Sequence, residues 1–102
     1  DLGDPVAAAR HAGQMLGDGG TVMLVEPFAN DRPQDNRSVT AQLYYAGSTT
    51  ICCAHAIAEG GHLVLGAQAG QKRLAAVFRE AGFTHFRRAA ETPHNLILEA
   101  RR

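Results

Sequence analysis

Thr21-Val22-Met23-Leu24-Val25-Glu26-Pro27 is the stretch on which the fold turns. Its apolar residues do not alternate with polar ones; Val22 to Val25 would put apolar side chains on both faces of a strand, the pattern of a central strand covered by helices on both sides. Pro27 closes it, because proline has no N–H to give a ladder. Glu26 is then the last residue before the chain leaves the sheet.

Upstream, Asp4-Pro5 is a strong helix start: the carboxylate can accept orphan backbone N–H groups, and proline at the first helical position gives up no needed donor. Val6, Ala9, Gly13 and Leu16 recur on one helical face. Gly17-Asp18-Gly19-Gly20 ends the helix and leads into the strand.

Downstream, Phe28 to Arg37 is a polar loop leaving the carboxyl end of the strand, where open α/β sheets usually bind ligands. A long helical region is predicted from about Val39 to Glu59, with Val39, Leu43, Ala46, Thr50, Cys53 and Ile57 on one stripe and Gly60-Gly61 as its stop. Gly47 and Ser48-Thr49-Thr50 are expected to bend or interrupt it. After the loop Gly66-Ala67-Gln68-Ala69-Gly70, the i, i+3, i+4, i+7 spacing of Leu74, Val77, Phe78 and Ala81 predicts a further helix, ended by Gly82. Thr84 to Ala90 reads as a charged edge strand, Thr92-Pro93-His94-Asn95 as a turn, and Leu96 to Ala100 as a buried strand, together an antiparallel hairpin.

This order predicts a right-handed crossover followed by the hairpin. The expected fold is α/β: three strands in the order first, third, second, with the third antiparallel, flanked by helices. At 102 residues and 45% hydrophobic content there is room for one small domain. Ten basic residues balance ten acidic ones, so the segment lacks the electrostatic footprint for phosphate backbones or an anionic membrane surface. No apolar run approaches the roughly 20 residues of a membrane span, and cytoplasmic residence is expected. Cys52 and Cys53 are neighbours in a helix, where ordinary disulfide geometry is out of reach and two adjacent side chains cannot easily share one ion. The five histidines, His11, His55, His62, His85 and His94, have no partners at triad or metal spacing.

Asp1-Leu2-Gly3-Asp4-Pro5, Val25-Glu26-Pro27-Phe28-Ala29, Leu43-Tyr44-Tyr45, Leu65-Gly66-Ala67-Gln68-Ala69-Gly70, Ala81-Gly82-Phe83 and Thr92-Pro93-His94-Asn95-Leu96 span nearly the whole chain. As an ordered set they resemble the C-terminal half of a class I S-adenosylmethionine-dependent methyltransferase. The likeness is strongest to bacterial enzymes with an N-terminal winged-helix domain and more distant to small-molecule O-methyltransferases. It implies a Rossmann-like sheet ending in an antiparallel hairpin, with residues 1–102 a partial domain and the S-adenosylmethionine site upstream of it. Gly66-x-x-x-Gly70 does not replace that site, since it follows no predicted strand and lacks the GxGxxG spacing.

The resemblance also implies roles. A histidine base would immediately precede Asp1, and Glu26 would orient its imidazole and stabilise the charged form; the alternative is that Glu26 caps the strand end and touches solvent. The second acid flanking that histidine falls near Gln68, a neutral residue. Tyr44 and Tyr45 are candidates for the wall of a small-molecule acceptor pocket, with core packing as the alternative for each, because adjacent helical side chains diverge by about 100°. The expected function is a methyltransferase fragment, inactive alone. The alternative is a ligand-sensing or dimerisation part of a winged-helix transcriptional regulator. An autonomous interaction module is disfavoured because the first strand would present an open edge. That edge predicts a homodimer or pairing with the missing half.

Overall fold

A computed structural model describes residues 2–102. Helix α1 (Pro5–Gln14) starts as its sequence dictates, with Asp4 Oδ1 accepting the Ala7 N–H at 2.9 Å and Pro5 in the first turn. It buries Ala9 and Gly13, and a Cβ on Gly13 would stand 3.1 Å from the Phe83 ring. The glycine therefore lets α1 settle onto the aromatic core. Strand β1 (Val22–Pro27) follows, then a short 3-10 turn at Pro33–Asp35.

The long helical region is continuous but changes pitch. Helix α2 (Val39–Gly47) passes through a π turn at Ser48–Cys52 into α3 (Cys53–Ala58). The Thr49 and Thr50 hydroxyls donate to the carbonyls of Tyr45 and Ala46, at 3.0 and 2.8 Å. Such back-bonding to residue i−4 competes with the backbone ladder and bends helices, which accounts for the expected interruption. Helix α4 (Gln71–Glu80) buries Leu74, Val77 and Phe78, and Gly82 follows in the left-handed region at φ 102°.

Strands β2 (His85–Glu91) and β3 (Asn95–Arg101) form the hairpin, with a register shift between Arg88 and Ala90. The sheet order is β1-β3-β2, and β3 is antiparallel to both neighbours. Leu24 pairs with Leu98 and Glu26 with Leu96. Leu96, Leu98 and Ala100, alternating along β3, are fully buried and form the floor of the core. Burying each leucine side chain contributes about 1.5–3 kcal/mol. The Phe78 ring packs 5.1 Å from Phe83 and 5.5 Å from Phe86, joining α4 to the sheet.

Two expectations need correcting. Strand β1 is not covered on both faces: α1 and α4 contribute Ala9, Val77 and Phe78 to the core under Val22 and Leu24, while Met23 and Val25 on the opposite face are 70% and 55% exposed. The single crossover deposits α4 on the same face as α1, leaving nothing for the other. Likewise, the stripe through Val39, Leu43 and Ile57 is not the face turned inward, since Val39 is 82% and Leu43 68% exposed. The buried positions of that segment are small: Ala41, Ser48 and Ala56. No helix among the described residues is long and apolar enough to cross a membrane.

Candidate functional site

The carboxyl end of β1 opens onto two cavities that share Leu65 and Ala69 as walls. The first, about 250 Å³, lies between α1 and α4, with Ala8, Ala12, Leu74 and Phe78 among its lining residues. Glu26 is its one ionisable lining residue. Strand β1 positions that side chain: Glu26 falls in register with Leu96, on the face that carries Leu24, and its carbonyl accepts from Asn95 Nδ2 at 3.3 Å. Burial raises its pKa above the ordinary glutamate value, because a charge loses hydration among apolar walls. A carboxyl so placed can hold a proton or bind a cation, either of which relieves the lost hydration.

The second cavity, about 390 Å³, is polar and is bounded by the loop after β1, by α2 with its π turn, and by the loop before α4. Asn36 organises it. Its Oδ1 accepts the Asn30 N–H at 2.8 Å, while its Nδ2 donates to the Asn30 carbonyl and to Tyr45 Oη, both at 3.1 Å. Ser48 Oγ accepts the Ala67 N–H at 2.9 Å, pinning the loop before α4 to the π turn. Gly66 makes that approach possible: it lies at φ 73°, and a Cβ there would collide with the Ser48 hydroxyl. Asp31 Oδ1 reaches across to accept the Lys72 N–H at 2.8 Å, capping α4 where Gly70 has no side chain to do so.

One group in this wall has no such arrangement. Both amide atoms of Gln68 are buried without a hydrogen-bond partner among the described protein groups. An unsatisfied buried amide costs about 1–3 kcal/mol; the Arg73 guanidinium lines the same cavity.

The candidate residues are distributed rather than gathered. Glu26 lines the apolar cavity and Tyr45 the polar one. Tyr44 lines neither; its hydroxyl donates to the His94 carbonyl at 3.1 Å and ties α2 to the β2–β3 turn. Asp1 lies outside the described residues. Asn36, Ser48 and Asp31 were not recognised as site-building groups, because their partners lie up to 41 residues away and leave no periodic signal. Gln68 carried one signal, its place near where the resemblance puts the second histidine-flanking acid.

No known protein-family pattern matches the chain. No curated protein matches it either.

Proposed function

We propose that residues 1–102 are the acceptor-side, C-terminal part of an S-adenosylmethionine-dependent methyltransferase that acts on a small molecule in the cytoplasm. The observation that carries this reading is the sheet β1-β3-β2, with its inserted antiparallel last strand, joined to a half-buried acid at the carboxyl end of β1. That is the position from which open α/β sheets present functional groups. The free edge of β1 supports a further strand beside it, and the exposed Met23 and Val25 support a layer over the open face, each supplied by the missing half or by a second copy.

The chain's own residues do not fit S-adenosylmethionine. Its glycine-rich loop follows no strand, and the helix it leads into is already capped by Asp31. When bound by residues outside this segment, the cofactor would supply the methyl group. What this chain would supply is the acceptor's surroundings. Glu26 holds negative charge, or a proton, in an apolar cavity; a cationic imidazole arriving beside it would offset the burial and be held in one orientation. Leu65, Leu74 and Phe78 give the same cavity apolar walls.

The test is transfer of labelled methyl from S-adenosylmethionine to a panel of small phenols and amines by the full-length protein and its Glu26→Gln variant. The variant is expected to lower kcat about 10²-fold, the lower end of what general acid–base assistance contributes, with KM nearly unchanged. Equal kcat in both proteins removes Glu26 from the mechanism. Transfer to no acceptor contradicts the enzyme reading.

A further inference from the structure

We infer that the polar cavity binds a singly charged carboxylate carried on a small apolar body, with the Arg73 guanidinium and the Tyr45 hydroxyl as its two donors. The inference rests on the acceptor-site reading only in calling that ligand the acceptor; the binding itself requires no methyl donor.

The class of ligand follows from what the walls leave unused. Asn36 is committed to Asn30 and Tyr45, and Ser48 to Ala67. Arg73, in the first turn of α4, lines the cavity, and its guanidinium has no hydrogen-bond or ion-pair partner among the described residues. Tyr45 Oη accepts from Asn36 Nδ2, which fixes the hydroxyl in place and leaves it its own proton to give. The two unused groups are therefore both donors, and one is a cation. The planar guanidinium fork matches a carboxylate bidentately. Such charge-assisted bonds are roughly twice as strong as neutral ones.

Asp31 limits the charge the ligand can carry. It is the other charged residue in the cavity wall, and its Oδ1 accepts the Lys72 N–H. The N-terminus of α4 is thus already occupied by a carboxylate and is not the anion site. Arg32 and Asp35, on the loop after β1, pair with each other at 3.8 Å and do not line the cavity. One negative charge on the ligand meets Arg73; a second would face Asp31 with no further cation in the wall to offset it. Pro33, Leu65 and Ala69 supply apolar surface for the body of the ligand. Because Arg73 is exposed, the carboxylate competes with water for it, and the affinity is modest.

The test is calorimetric titration of the full-length protein, without S-adenosylmethionine, using benzoate, benzamide and phenyl phosphate as probes. Benzoate is expected to bind saturably in the millimolar range, and the neutral amide and the dianion each at least tenfold more weakly. Arg73→Gln is expected to weaken benzoate at least tenfold and to leave benzamide unchanged, and Tyr45→Phe to weaken benzoate about threefold, the loss of one ordinary hydrogen bond. Equal affinity for benzoate and benzamide, no saturable benzoate binding in the millimolar range, or unchanged benzoate affinity in Arg73→Gln overturns the inference. Tighter binding of phenyl phosphate than of benzoate overturns the limit set by Asp31. The three probes on the unaltered protein decide the charge class even if a variant does not fold. Arg73-dependent benzoate binding without methyl transfer would leave this inference standing and sink the enzyme reading; methyl transfer without benzoate binding would do the reverse.

Discussion

Helix α4 and the bent helix α2–α3 are held to this protein in opposite ways. Helix α4 presents Leu74, Val77 and Phe78 to the sheet and buries all three. The α2–α3 segment turns its large apolar residues, Val39, Leu43, Ile51 and Ile57, to the outside and approaches the protein through Ala41, Ser48 and Ala56. Its attachments are polar ties, Tyr44 to His94, Tyr45 to Asn36 and Ser48 to Ala67. Glycines at 61 and 66 allow the close approach; a Cβ at Gly61 would lie 2.7 Å from the Ala56 carbonyl. The contrast separates a scaffold, stabilised by area removed from water, from a wall of the polar cavity, stabilised by placement. Regions of the second kind open at lower free energy.

The comparison breaks most readily at the scaffold. Leu98→Ala deletes a fully buried side chain opposite Leu24 and is expected to cost about 2–5 kcal/mol, read as a lower urea midpoint. A loss below about 1 kcal/mol would mean that β3 is not the floor of the core.

Glu26 lies between the two regimes. Because burial raises its folded pKa, the folded chain binds a proton more readily than the unfolded one. Its contribution to stability is therefore most favourable below the ordinary glutamate pKa, and declines as pH rises through that value to the raised one. Glu26→Gln is expected to be more stable than the parent chain at pH 7 and to flatten this part of the profile. A variant less stable at pH 7 would mean that the carboxylate has a partner.

At the smallest end, Leu43→Gln on the outer stripe is expected to change stability by no more than about 0.5 kcal/mol. A loss of 2 kcal/mol would show that the stripe is buried in solution, against another chain.

Much of the scaffold is legible in the sequence. Asp4-Pro5 announced the start of α1, the spacing of Leu74, Val77 and Phe78 announced α4, and Thr92-Pro93 announced the turn that puts β3 between β1 and β2. These signals are local, or repeat with the period of the element. The wall of the site is different. Periodicity reports that residues 39–57 have an apolar face; it does not report which face meets the protein. Here the small residues won, because only they permit the backbone contacts around Gly61 and Gly66. The links from Asp31 to Lys72 and from Ser48 to Ala67 join single polar residues across 41 and 19 positions, and no pattern in one chain marks them. The spacing of Tyr44 and Tyr45 shows that they diverge, but only the fold sends one to the hairpin and the other to the cavity. Met23 and Val25 are the reverse case: the sequence asks for cover that these residues do not provide.

Calorimetric titration with S-adenosylmethionine tests the central claim most directly, run in parallel on the full-length protein and on residues 1–102. Saturable binding by the full-length protein, with no heat of binding from residues 1–102, is the predicted result. Micromolar binding by residues 1–102 alone, or none by the full-length protein, would contradict it.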